Sequence, residues 1–332
     1  MPKTIFVTGG AGYVGSHCCK AFAEAGWNVV VYDNLSTGHR DFVRWGPFIE
    51  GDILDAEALR KAMADARPDA VAHFAALSLV NESVTAPERY YRTNVGGTLN
   101  LLEAMVANDV RKMIFSSTCA TYGVHDTPIS EETHQKPINP YGWSKLAAER
   151  AIIDFDRAHG VKSVLLRYFN ACGASPDGEI GERHEPEPHV IPRAVMGAMD
   201  GSFEFKILGN DYDTPDGSCI RDYIHVMDLA AAHRLALETL FDAGASDVFN
   251  LGTGSGTSVI ELADAIANRS PRNVPREYGP RREGDPAMLI ANPTKANTVL
   301  RWRPVRSDIA TIVDDAWRWH EKELGVKPEA SK

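Results

Sequence analysis

The stretch that most constrains this chain is Thr8-Gly9-Gly10-Ala11-Gly12-Tyr13-Val14-Gly15. It follows a short apolar, β-prone run, Ile5-Phe6-Val7, and leads into residues 16–25, which read as a helix closed by Gly26. Val29-Val30-Val31-Tyr32 reads as the next strand, with Asp33 at its end. Glycines in such a turn permit a tight bend, close approach of the backbone to a pyrophosphate, and close helix–strand packing. The helix start then faces the phosphates with its N–H groups. A lone Gly-x-Gly-x-x-Gly is weak evidence; set between strand and helix, with an acid about 20 residues further on, it reads as a dinucleotide site. The Asp33 carboxylate can accept from a ribose hydroxyl and would repel a 2′-phosphate, which favours NAD over NADP. Arg40, close in sequence, weighs the other way.

Strand and helix patterns continue to alternate. Residues 55–64 look helical, 70–74 form a strand, and 88–106 read as one long helix with Val95, Leu99, Leu102 and Met105 on its apolar side. Met113-Ile114-Phe115 is a strand running into Ser116-Ser117-Thr118, and Ser163-Val164-Leu165-Leu166 is a further strand. Such alternation implies an α/β fold, a Rossmann-type doubly wound parallel sheet covered on both faces, with ligands beyond the carboxyl ends of the strands. After Asn170 the character changes. Residues 172–188 are rich in Gly, Pro and acidic side chains and read as a loop or linker. Helices near 191–199, 228–241, 259–268 and 308–322, with a strand near 203–208, read as a smaller mixed C-terminal cap. The expected division is a nucleotide-binding domain over 1–170, to which segments near 220–250 return, and a substrate-binding domain over 171–330.

The 332 residues are 44% hydrophobic and 24% charged, enough for a sizeable core. A net charge of −10 argues against a general nucleic-acid surface. The five cysteines include no Cys-x-x-Cys pair, so neither a zinc site nor a disulfide framework is expected, and a reducing compartment fits. His17 and His73 lack metal-type neighbours in sequence and read as packing or capping residues. The N-terminal residues carry no apolar leader and no later run could span a bilayer, so a cytoplasmic location is expected.

Asn139-Pro140-Tyr141-Gly142-Trp143-Ser144-Lys145 reads as the first turns of a helix, with Asn139 as N-cap and Pro140 at the first helical position. Tyr141 and Lys145 are four apart and share one face. A free phenol has a pKa of about 10, too high for a base at neutral pH. An ammonium about 4 Å away is worth roughly 4 kcal/mol at an effective dielectric near 20, before burial opposes it. A tyrosine so placed could take a proton from a sugar hydroxyl and return it. On its own, Tyr-x-x-x-Lys is equally an incidental pair on an amphipathic helix.

Further stretches add specificity: Tyr32-Asp33-Asn34-Leu35, Arg167-Tyr168-Phe169-Asn170, Gly209-Asn210-Asp211-Tyr212, Arg221-Asp222-Tyr223-Ile224-His225-Val226-Met227-Asp228-Leu229 and Pro280-Arg281-Arg282-Glu283-Gly284-Asp285. Through them and residues 8–17, the chain resembles the extended short-chain dehydrogenase/reductases over essentially its whole length, and within them the UDP-hexose 4-epimerases. The resemblance implies reversible inversion at C4 of a UDP-hexose, UDP-galactose to UDP-glucose, with a resident NAD and a transient 4-keto sugar. Tyr141 would remove the O4 proton, Thr118 would hydrogen-bond O4, and Lys145 would hold the nicotinamide ribose and keep the Tyr141 pKa low. Gly10, Gly12, Tyr13, Val14, Gly15, Asp33, Asn34, Asp52, Ile53, Phe74, Asn94 and Tyr168 would line the cofactor. Asn170, His189, Val190 and Leu208 would contact the nucleotide-sugar, Arg221 and Arg282 the diphosphate, and Asp285 the uridine ribose. A homodimer through the 88–106 and 141–156 helices is implied as well.

Three positions depart from the family pattern. Ser78 stands where a lysine often approaches the cofactor phosphates, His189 where an asparagine is usual, and Leu289 at or near the position that sets sugar-pocket size. Leucine is intermediate there, which leaves UDP-N-acetylglucosamine and UDP-pentoses such as UDP-xylose or UDP-arabinose as alternative substrates. A nucleotide-sugar 4,6-dehydratase would need Asp-Glu after the threonine, and Cys119-Ala120 follow Thr118 here. A non-catalytic NAD-binding regulator would have no use for Thr118, Tyr141 and Lys145 together.

Overall fold

The computed structural model describes residues 2–125, 128–201, 205–272, 274, 276–281 and 286–325. Its centre is a seven-stranded sheet in the order Asp247–Leu251, Lys162–Tyr168, Lys112–Thr118, Ala70–His73, Thr4–Thr8, Asn28–Asp33 and Phe48–Glu50. All six pairings are parallel. Strands buried on both faces need no polar alternation, which is why runs such as Val29-Val30-Val31 are continuously apolar. Ile5, Val7, Val29 and Val31 face one core layer, where Cys18 and Phe22 of the Tyr13–Glu24 helix meet Leu229, Leu237 and Leu240 of the Val226–Ala243 helix. Phe6, Val30, Tyr32, Met113 and Phe115 face the other, against Leu59 and Met63, Leu101 and Met105, and Ala148 and Ile152. Strand order reverses between Thr4–Thr8 and Ala70–His73, the topological switch beside which ligands sit in open α/β sheets.

Two differences from the sequence expectation have physical causes. The long 88–106 helix is divided: Pro87–Tyr90 and Gly97–Ala107 are α, and Tyr91–Gly96 between them is π. Such segments cluster at functional sites, and apolar spacing alone does not reveal one. The edge strand Phe48–Glu50 escapes sequence reading because three residues after Gly46-Pro47 show no periodicity. After His225 the chain returns to the sheet: the Val226–Ala243 helix packs on one face and Asp247–Leu251 adds an edge strand.

The rest is small sheets and helices. Asn170–Cys172 pairs with Tyr223–His225, Ile220–Arg221 lies between Thr257–Ser258 and Met288–Leu289, and Phe205–Leu208 pairs with Arg276–Gly279. Ile191, Val195, Ile207, Leu262, Ile266, Ile312 and Trp317 form their shared core. Residues 203 and 204 of the anticipated strand lie outside the described residues.

Candidate active site

The glycine loop is shaped partly by the chain itself. Gly9 sits at φ +74°, and a Cβ there would lie 2.4 Å from the Ala75 backbone nitrogen. A Cβ on Gly15 would strike the Gly9 carbonyl at 2.1 Å, and one on Gly10 would press on Val31 and Cys19. Gly12 is different: its Cβ would meet nothing closer than 3.4 Å. The chain's own packing therefore does not require glycine at that position, whereas a pyrophosphate laid against the backbone does. No side chain caps the Tyr13–Glu24 helix, so its N-terminal dipole is free to face an anion. The Tyr13 hydroxyl donates to the Gly173 carbonyl at 2.6 Å, and Val14 packs on the core.

At the next strand end, the Asp33 carboxylate accepts from the Ala11 N–H at 3.0 Å and the Leu35 N–H at 2.8 Å. Burial raises its pKa and these two N–H groups oppose the rise. Each oxygen retains acceptor capacity for a hydroxyl. The Asn34 amide donates to Asp52 at 2.9 Å, Ile53 is buried beside Gly97, and Phe74 lies against the His233 ring. Arg40 stacks on Phe48, and Ser78 is exposed. This set fits the adenosine and pyrophosphate half of a dinucleotide.

Thr118 ends its strand and Tyr141 begins its helix, as Asn139 caps at 2.8 Å to Gly142 and Pro140 occupies the first turn. The two side chains are close enough that Thr118 favours the phenolate form of Tyr141. Burial raises the Tyr141 phenol, Tyr168 adds to the rise, and Thr118 opposes it. Lys145 is itself only 4% exposed; burial pushes it down to about 7, with Glu149 opposing. Its ammonium lies 4.3 Å from the centre of the Phe115 ring. The expectation that Lys145 keeps the Tyr141 pKa low is thus corrected: desolvation by burial raises the phenol in this setting. Tyr168 bonds Ser116 at 2.9 Å. Asn94, in the π segment, clasps Leu77 through both backbone groups and donates to Ser144 at 2.9 Å, which in turn donates to the Tyr141 carbonyl at 2.8 Å. Asn94 therefore ties the 74–79 segment to the turn that carries the tyrosine.

The sequence reading missed what lies beneath. Glu149, one turn past Lys145, is 1% exposed and accepts from Arg167 at 2.6 and 2.9 Å, from Gln135 at 3.1 Å and from Ser117. The 141–145–149 spacing was the available signal. His73 is also enclosed: Thr8 and Thr98 bond its two nitrogens, and burial with the Lys145 charge pushes its pKa down to about 3.

The nucleotide-sugar residues are more scattered. Asn170 donates to the Asp222 carbonyl at 3.1 Å, and Arg221 is buried in register with Leu289. Leu289 packs with Cys119, Tyr122, Phe169 and Ala291, the cluster adjoining Thr118. Leu208 pairs with Gly279 in a separate sheet, and Val190 opens a helix packed into the C-terminal core. His189 faces Glu182 and Glu187; burial lowers its pKa, but those two carboxylates carry it up to about 10. Arg282 and Asp285 lie outside the described residues. Asp222 and Asp228, in the most family-specific stretch, serve the chain itself. Asp222 accepts from Thr253, Gly254 and Ala291, and Asp228 from Val305, Arg306 and Ser307.

The chain matches the model of the NAD dependent epimerase/dehydratase family over residues 5–252. It is 51% identical over 321 residues to the UDP-glucose 4-epimerase of Rhizobium leguminosarum bv. trifolii, covering 96% of this chain and 98% of the relative. A crystal structure of UDP-glucose 4-epimerase from Brucella ovis in complex with NAD superimposes with a TM-score of 0.93 at 52% identity, over 95% of this chain and 97% of that one. The UDP-glucose-4-epimerase from Stenotrophomonas maltophila, with bound NAD and formylated UDP-arabinopyranose, gives 0.94 at 36% identity, over 98% and 100%.

Proposed function

The chain belongs to the NAD dependent epimerase/dehydratase family, and from that premise we propose that it interconverts UDP-galactose and UDP-glucose by inversion at C4, with NAD as resident cofactor. The observation that carries the reading is the juxtaposition of Thr118 and Tyr141 at the carboxyl end of the sheet, within a chain half identical over nearly its full length to UDP-glucose 4-epimerases. The glycine loop, Asp33 and Asn34 would hold NAD, and Lys145 would hold its nicotinamide ribose. Bound NAD supplies a reversible hydride acceptor, so the reaction has no net redox change.

The protein's own part is binding and proton transfer. Thr118 would hold the sugar O4, and Tyr141 Oη would take its proton and later return it. Lys145, if charged, favours the phenolate, and Glu149 beneath helps retain that charge. Asn170, His189, Val190, Leu208 and Arg221, with Arg282 and Asp285, would grip the nucleotide while leaving the hexose free to turn. The division follows: the seven-stranded sheet unit takes NAD and the smaller C-terminal unit takes the UDP-sugar. Leu289 beside Cys119 makes the sugar pocket the place where an N-acetylhexosamine or a pentose would be discriminated. A homodimer would use the helical face on which Tyr91, Leu99 and Trp143 are exposed, and a monomeric mass in solution would refute it. Among the described residues no helix is long and apolar enough to cross a membrane.

Purified protein with verified bound NAD should convert UDP-galactose to UDP-glucose without accumulating NADH. Absence of conversion would overturn the reading. UDP-pentoses and UDP-N-acetylhexosamines assayed in parallel rank the substrates.

A further inference from the structure

The loop between Asn170–Cys172 and the Val190–Asp200 helix carries Glu182, His184, Glu187 and His189, an acid-x-His-x-x-acid-x-His spacing. One donor atom from each lies within 4.8 Å of all the others. The measured separations are tighter. His189 Nδ1 is 2.8 Å from Glu182 and 3.1 Å from Glu187, and His184 Nδ1 is 3.2 Å from Glu187 and 3.7 Å from Glu182. Four ligands at about 2.0–2.1 Å around a tetrahedral zinc ion stand roughly 3.3 Å apart, and the four imidazole–carboxylate separations fall around that value, with Glu187 presenting one oxygen to each imidazole.

Charge balance is compatible with such an ion. The Glu182 and Glu187 side chains are 5% and 4% exposed. Nearby permanent cations are engaged elsewhere: Lys20 pairs with Asp177 and Glu179, and Arg183 with Asp41 and Glu323. Two buried carboxylates facing two imidazoles need either two added protons or one dication. A third imidazole, His320, is buried with its Nε2 unpartnered and lies within the field of Glu187.

We propose that Glu182, His184, Glu187 and His189 form a structural binding site for one divalent transition-metal ion of the zinc class. All four positions come from protein, as in closed structural sites rather than catalytic ones. Such an ion would fasten the loop where its backbone already touches both the nucleotide unit and the C-terminal helix. The Gly173 carbonyl accepts from Tyr13, the Arg183 carbonyl meets His39 at 3.0 Å, and the Glu182 carbonyl accepts from Trp319 at 2.9 Å. The sequence reading expected no metal because it sought thiolate pairs and neighbours of His17 and His73. The inference does not depend on the epimerase reading.

The test is titration of the full chain, stripped with chelator, with Zn²⁺ alone by calorimetry and with Co²⁺ by visible absorption. Wild type should bind one ion per chain and give the Co²⁺ spectrum of a four-coordinate nitrogen and oxygen site. His184→Ala and Glu182→Gln should each weaken binding at least tenfold. Absence of saturable one-to-one binding in wild type, or wild-type affinity in folded Glu182→Gln, would overturn the proposal and leave a protonated imidazole–carboxylate knot. If His184→Ala fails to fold, Glu182→Gln and the wild-type stoichiometry decide.

Discussion

The Pro140–His159 helix and the segment from Ile220 to Asp228 both carry polar residues in strongly patterned stretches, yet the two use them differently. In the second, Asp222 and Asp228 are saturated by backbone N–H and hydroxyl donors from loops distant in sequence. Their lone pairs are occupied, and their effect is to fix the 253–254, 291 and 305–307 segments. In the first, the Tyr141 phenol lies by Thr118, which favours its ionised form, and Lys145 lies over an aromatic ring at a burial that costs it charge. Specific sequence therefore marks two different things: groups that complete the fold, and groups kept available for a ligand.

This contrast can be broken or sharpened by experiment. The widest swing should come with pH at Lys145. Its folded pKa, about 7, lies below the ordinary 10.5, so between those values the unfolded chain holds a proton that the folded chain releases. Wild-type stability from this group therefore rises with pH across that window, and the burial penalty is fully present below it. Lys145→Met should exceed wild type in stability most clearly below pH 7, and the gap should close toward pH 10. Denaturant melts at several pH values without added nucleotide check this; a constant gap would show that Lys145 is not strained by burial.

Glu149→Gln breaks the buried pair with Arg167 and should destabilise by about 3–5 kcal/mol. An effect below 1 kcal/mol would mean that Arg167 finds other compensation. Asp228→Ala leaves two backbone N–H groups and one hydroxyl without their acceptor. A loss of about 3 kcal/mol is expected, with kcat per folded molecule little changed, because each stranded donor costs roughly 1–3 kcal/mol and such losses are not fully additive. A fall in kcat with unaltered melting would move Asp228 from the fold to the chemistry. Ser144→Ala is the mildest, about 1 kcal/mol, and should lower kcat through loosened placement of Tyr141 while KM for UDP-sugar stays nearly unchanged. Kinetics and melts together separate the two.

Much of the fold was legible because a parallel sheet advertises itself by continuous apolar strands between amphipathic helices. The glycine loop, Asp33, the Asn139 cap and the place of Thr118 at a strand end could be read from local pattern, whereas the meeting of Thr118 with Tyr141 was implied only by the family resemblance. Long-range pairing could not. Nothing near Glu149 in sequence announces Arg167, and nothing near Asp222 announces Thr253 or Ala291. The π segment at Tyr91–Gly96 was hidden because it keeps the apolar spacing of an α-helix while shifting Asn94 onto Leu77 and Ser144. The 182–189 loop was read as linker because its Gly, Pro and acidic content is also what linkers contain.

The central claim is that the Tyr141 phenol moves the proton while the Asp222 carboxylate holds the chain. It is tested most directly by measuring turnover of UDP-galactose, bound NAD and melting temperature side by side in Tyr141→Phe and Asp222→Asn. Tyr141→Phe should keep its NAD, its UDP affinity and its melting temperature while turnover falls by roughly 10²–10⁴, and Asp222→Asn should lose melting temperature first. Unchanged turnover in Tyr141→Phe with NAD in place would contradict the account.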